Sequence, residues 1–227
     1  MKFDIITIFP EIFNSYFSES IIKRAQKNDL IKINIHNLRD WTKDKHRTVD
    51  DTPYGGGAGM VMKIDILHKA IESIVGAIHE SPLPAGKKTK IILLSAKGKK
   101  WDQQLAKKYS KLNNLIMICG RYEGVDERIL NFIDEEISIG DYVLTGGEIP
   151  AMIVADSITR LLPGALGNAA SPEDESHSVP GNLEYPQYTR PEIFTVGKKK
   201  YRVPKILLSG DHGKIAQWRK KKMKKIK

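Results

Sequence analysis

The chain has 227 residues, of which 41% are hydrophobic and 28% charged, with a single cysteine and a formal net charge of +10. That length suits one large domain, or one domain with a smaller appendage, and the composition excludes wholesale disorder, collagen and coiled coil. Cys119 alone excludes an intrachain disulfide or a Cys-rich zinc site. No apolar run approaches the roughly 18 residues that cross a bilayer, and Met1-Lys2-Phe3-Asp4 does not read as a signal sequence. A protein of the reducing cytoplasm, with no membrane partner, is expected.

The charge is unevenly placed. Residues 197–227 carry 13 basic residues and 1 acidic, a net of +12, whereas residues 1–196 carry 24 basic and 26 acidic, a net of −2. The last nine residues hold seven positive charges, a run that points either to a nucleic-acid partner or to a solvated end. Met223 and Ile226 make too poor an insertion face for a membrane surface.

Taken in chain order, Phe3 to Ile8 reads as a strand, Glu11 to Gln26 as a helix, and Ile31 to Ile35 as an alternating strand. The polar stretch from Asn37 to Gly59 is too long for an ordinary connection. Helices are expected over Ile64 to Ile78, Trp101 to Tyr109, Val125 to Phe132 and Glu148 to Leu162. Between them lie the apolar strands Ile91 to Leu94, Leu115 to Cys119 and Glu136 to Ile139. Short apolar strands alternating with helices predict an α/β domain with a parallel sheet covered on both faces. From Pro163 to Thr189 the composition turns to Gly, Ala, Ser, Pro and acids, which reads as a linker or lid. Beyond it, Lys205 to Leu208 and a helix from Asp211 to Lys222, with Asp211 as N-cap, form a small basic module.

Ligands of open α/β sheets sit beyond the carboxyl ends of the strands. Here three strands lead into glycine-bearing loops: Ser95 to Gly98, Gly120 to Gly124 and Gly140 to Gly147. None matches a P-loop or a dinucleotide fingerprint, the six histidines lack paired ligand spacing, and no Gly-x-Ser-x-Gly elbow occurs. Gly55 to Gly59 is either a phosphate cradle or a flexible loop. Arg121 with a neighbouring carboxylate after a buried strand is suited to orienting a polar ligand. Glu173, Asp174 and Glu175 form either a solvated patch or the seat of a mobile general base.

Several segments carry a resemblance: Phe9 to Phe13, His46 to Met60, Cys119 to Arg128, Ser138 to Pro150, Leu162 to Gly164 and Tyr188 to Pro191. Together and in this order they resemble the bacterial tRNA (guanine-N1)-methyltransferases of the SPOUT class, which methylate the guanine immediately 3′ of the anticodon, guanine-37. The resemblance implies a SPOUT-type parallel sheet with a deep trefoil knot over residues 1–162, a linker or lid over 163–182, and a small, mostly helical, basic tRNA-binding domain over 183–227. It implies S-adenosylmethionine as methyl donor and a homodimer whose active site is shared between subunits. Magnesium is an assisting ion the resemblance allows, with no ligand set readable in the sequence.

Carried over by motif, the cofactor residues are Leu93, Leu94, Ser95, Gly120, Glu123, Ile139, Gly140, Asp141, Tyr142, Val143, Leu144, Gly146, Gly147 and Pro150. The catalytic arginine falls on Arg160. The family's catalytic Asp precedes a Ser-Phe pair, where this chain reads Pro172-Glu-Asp-Glu-Ser-His177, so the base falls on Glu175 or, with a one-residue slip, on Asp174. The chain also ends in a lysine run shortly after Trp218-Arg219, where family members continue through further helices.

Overall fold

The computed structural model describes residues 1–80, 88–167 and 175–225. The chain divides into two compact units, residues 1–167 and 168–227.

The first unit is built on a five-stranded sheet of β1 (Lys2–Thr7), β2 (Lys32–Asn37), β3 (Thr89–Lys100), β4 (Asn114–Cys119) and β5 (Glu135–Ser138). Its order is β2-β1-β4-β3-β5 and every pairing is parallel, as the alternation of apolar strands and helices predicts. All six residues of the central β4 are buried, which explains why its sequence from Leu115 to Cys119 is an unbroken apolar run rather than an alternating one.

The helices seal the two faces. On one, α2 (Ile64–Glu80) places Leu67, Ala70, Ile71, Ile74 and Ile78 at helical spacing against Ile6, Ile116 and Ile118. On the other, α1 (Ser20–Lys27), α3 (Gln103–Tyr109) and α4 (Glu148–Thr159) cover Phe3, Ile5, Leu115 and Met117. Each fully buried Leu or Ile contributes roughly 1.5–3 kcal/mol over leaving it exposed. Asp102 caps α3 by accepting from the Leu105 amide at 2.8 Å, which starts that helix later than Trp101.

Three expectations for this unit need correction. The helix expected over Glu11 to Gln26 is interrupted after Phe17, where Ser18 turns its hydroxyl back to the Ser15 carbonyl and Ser20 adopts φ 49°. Residues 127–132 form a 3-10 helix, capped by Asp126, in place of an α-helix over Val125 to Phe132. Finally, Ser95 to Gly98 is no strand-end loop but an irregular stretch within β3, whose pairing with β5 shifts register between Leu94 and Lys99. A Cβ on Gly98 would lie 2.4 Å from the Ile137 nitrogen, so only glycine lets the two backbones approach there.

The second unit is more mixed than a mostly helical module. It holds a hairpin of β6 (Ile193–Val196) and β7 (Lys199–Arg202), a 3-10 helix over Lys205–Leu208, and α5 (His212–Lys222). Asp211 caps α5 as its sequence position predicts, accepting from the Lys214 amide at 3.0 Å. Trp218 packs on Tyr188, and the Arg219 guanidinium lies over the Tyr185 ring at 4.9 Å. Within the lysine run, Lys220 to Lys222 finish α5, and Lys224–Lys225 pair antiparallel with Asn182–Leu183.

Candidate active site

β3 lies between β4 and β5 in the sheet, and its irregular stretch after Leu94, with the segments leaving the carboxyl ends of β4 and β5, encloses a cavity of about 240 Å³. It is lined by Leu93, Leu94 and Ser95 from β3, by Gly120 and Glu123 after β4, and by Ile139, Gly140, Tyr142, Val143, Leu144, Gly146, Gly147 and Pro150 after β5. Asp141 is the one expected cofactor residue absent from this lining; its carboxylate pairs instead with Lys100 at 2.8 Å, on the exposed side of the loop.

Close backbone contact builds the cavity wall. The Gly147 amide donates to the Gly120 carbonyl at 2.9 Å, laying the segment after β5 directly on the segment after β4. A Cβ on Gly147 would stand 2.6 Å from Cys119 Cα, so no other residue fits there without moving the strand end. Backbone bonds from Met60 and Met62 brace the segment after β4. Glu123 donates its amide to the Met60 carbonyl at 3.0 Å, Met62 donates to Gly124 at 3.0 Å, and Asp126 donates to Met62 at 3.1 Å. Gly55 to Gly57 stand in open space, all with positive φ, which leaves the choice between phosphate cradle and plain loop where the sequence left it.

Arg121 does not pair with the carboxylate two residues on. Tyr122 takes φ 59°, and the chain reverses so that Glu123 lies against Gly59 while Arg121 reaches α4. There its Nε and Nη2 sit 2.9 and 2.8 Å from Glu148 Oε2, and Nη1 donates to the Thr145 carbonyl at 3.2 Å. Glu148 is 1% exposed and accepts from the Thr7 hydroxyl through Oε1 at 2.7 Å, so a buried charge has a donor on each oxygen. Phe9 lies under the guanidinium at 4.6 Å. Sequence reasoning missed Glu148 in this role; the available signal was an acid directly before the apolar run Ile149 to Ala155.

Two neighbouring groups show how the site sets its charges. Burial pushes the Cys119 thiol well above its ordinary range, with the Glu148 charge acting in the same direction, so it is a neutral packing group. Asp126 is held below the usual carboxylate range by its hydrogen bonds from Arg128, at 2.9 and 2.6 Å.

The proposed catalytic residues are distributed over the chain. Arg160 follows the last residue of α4, half-buried, with its amide bonded to the Asp156 carbonyl at 3.1 Å. Glu175 belongs to the second unit and is half-buried, its carbonyl accepting from the Ser178 amide at 3.0 Å. Asp174 lies outside the described residues. Among the described residues no group of three or more His, Cys, Asp or Glu side chains is placed to hold a metal ion, and no helix is long and apolar enough to cross a membrane.

The whole chain has close relatives. It is 52% identical over 221 residues to a tRNA (guanine-N(1)-)-methyltransferase of Dictyoglomus turgidum, covering 97% of this chain and 84% of that protein. It is 50% identical over 222 residues to that of Dehalococcoides mccartyi, with 97% and 85% covered. With the enzyme of Ruminiclostridium cellulolyticum it shares 52% identity over 220 residues, with 96% and 89% covered. The family model described as tRNA (Guanine-1)-methyltransferase TrmD matches residues 1–226, and the chain belongs to that family.

Proposed function

We propose that this protein is an enzyme that methylates N1 of guanine in tRNA, at the guanine immediately 3′ of the anticodon, with S-adenosylmethionine as methyl donor. The observation that carries this reading is the meeting of the three family-motif segments, around Leu94, Gly120 and Ile139, on one cavity. The cavity offers what an adenosyl group needs: apolar walls from Leu93, Ile139, Leu144 and Pro150 beside glycine backbone at Gly120, Gly140, Gly146 and Gly147. When bound, the donor supplies a methyl group made electrophilic by a sulfonium. The knotted path that the family implies for these loops, which general connection rules would not have suggested, is part of this reading; the Gly147–Gly120 hydrogen bond, which lays the two segments side by side, is compatible with it.

Guanine N1 carries a proton at neutral pH. Glu175 or Asp174 accepts that proton as N1 forms its bond to the methyl carbon and the carbon–sulfur bond breaks, its electron pair returning to sulfur to leave a neutral thioether, S-adenosylhomocysteine. Arg160 stabilises the negative charge that develops on guanine O6. Residues 163–182 link the two units and carry the carboxylate, and residues 183–227 hold the tRNA. No step is assigned to magnesium. The enzyme works as a homodimer with its site shared between subunits; the exposed apolar residues Ile149 and Ile153 on α4, with Phe9, Ile12 and Tyr16 from the 9–17 segment, support a face covered by a second copy.

Isothermal titration with S-adenosylmethionine tests the cofactor half of this reading. Saturable binding is expected; absence of any binding would favour an RNA-binding protein with a dead pocket.

A further inference from the structure

The hairpin of β6 and β7 is the least expected element of the second unit, and its surface is unusual. In its antiparallel register Phe194 faces Tyr201, and Val196 faces Lys199. Directly opposed residues share a face, and alternate residues along a strand do too, so these four side chains form one face of the ribbon. All eight strand residues are exposed, with Phe194 at 58%, Val196 at 55% and Tyr201 at 48%. The two rings lie 6.4 Å apart, tilted by 35°, and the Lys199 ammonium stands over the Tyr201 ring at 5.0 Å. Burial in the unit's own core does not explain two neighbouring aromatics on an open ribbon.

The charges around this face narrow the choice of occupant. Lys198, Lys199, Lys200 and Arg202 give the ribbon four positive charges within five residues, with the single acid Glu192 preceding it. Such density opposes self-association through this face and favours a polyanion. Aromatic rings with cations beside them suit unpaired bases, whose faces stack on the rings while the backbone phosphates meet the lysines. A duplex would use the lysines and leave the rings idle.

Resting on the tRNA reading above, we propose that the Phe194–Tyr201 face is a stacking platform for unpaired nucleotides of the substrate RNA, flanked by lysines that hold its phosphates. It adds affinity and positioning and takes no part in the methyl transfer itself.

The test uses the full-length protein and a tRNA anticodon stem-loop carrying 2-aminopurine at successive loop positions, a base whose fluorescence changes on stacking. Phe194→Ile with Tyr201→Val keeps residues that favour a strand but removes both π-faces. This double variant should bind the stem-loop about tenfold or more weakly, the range expected when a base–aromatic stack is removed, with an unchanged salt slope. The 2-aminopurine signal at one or two positions should vanish with it. Phe194→Tyr with Tyr201→Phe should retain both. By contrast, Lys220, Lys221 and Lys222 changed together to Gln should flatten the salt slope by roughly 0.7–0.9 for each phosphate no longer neutralised, without touching the fluorescence signal. Wild-type affinity and fluorescence in the Ile/Val variant would overturn the platform while leaving the tRNA reading intact. Failure of the wild-type protein to bind the stem-loop or tRNA would sink both. A concentration-dependent dimer that the Ile/Val variant alone abolishes would assign the face to a second copy and overturn the proposal.

Discussion

Arg121 and Glu148 lie 27 residues apart in sequence, yet two guanidinium nitrogens converge on one carboxylate oxygen at 2.9 and 2.8 Å, while Thr7 takes the other oxygen. The pair ties the segment after β4 to the first turn of α4 and so fixes one side of the cavity. Breaking a buried pair strands the surviving charge, at a cost of about 3–5 kcal/mol. Arg121→Met is therefore expected to lower stability in urea unfolding by that order, and the double variant Arg121→Met, Glu148→Met by less. Equal losses in both would mean that the pair is no more than local packing.

The cavity wall makes a second test available. Gly147→Ala forces a methyl group onto Cys119 Cα, whereas the space around Gly167 is open. Gly147→Ala should weaken S-adenosylmethionine binding at least tenfold in calorimetry, and Gly167→Ala should leave it unchanged.

The carboxylate assignment separates two neighbours. Replacing the true base by its amide should lower the single-turnover methylation rate by about two to four powers of ten, the usual range for general-base catalysis, with cofactor affinity preserved. Glu175→Gln and Asp174→Asn are thus expected to differ sharply. Arg160→Ala should show a comparable rate loss without loss of cofactor binding. Mild, equal effects of both carboxylate variants would remove the linker residues from the chemistry.

The far end of the sheet gives a pH-dependent term. Asp4 is fully buried, and burial pushes its carboxyl up, but hydrogen bonds from His36 and Asn34 and the Lys2 ammonium 3.1 Å away outweigh this and hold it below its ordinary value of 3.8. A carboxylate lowered in the folded state stabilises fully above its unfolded value and loses that contribution as pH falls through the folded one. Asp4→Asn should accordingly reduce stability at pH 7, and the gap between variant and wild type in urea unfolding should narrow below about pH 3.8.

Much of this was legible in the sequence because its signals are local. The apolar runs ending at Leu94 and Cys119 marked buried parallel strands, and Asp211 announced the start of α5. What stayed hidden depends on contacts between distant segments. The extension of β3 through Ser95 to Gly98 requires β5 alongside it, and polar residues there mimic a loop. Arg121 has a nearer acid in Glu123, and only the turn at Tyr122 sends it to Glu148. The hairpin carries Gly197 at its turn, but its lysine-rich strand, Lys199–Arg202, looks like part of a charge run rather than a strand.

The most direct measurement is mass spectrometry of nucleosides and of RNase fragments from tRNA incubated with the protein and S-adenosylmethionine bearing a deuterated methyl group. The expected result is labelled 1-methylguanosine, mapped to the guanine immediately 3′ of the anticodon. A label on another guanine atom, on ribose or at another position, or no label in tRNA while the protein binds the cofactor, would contradict it.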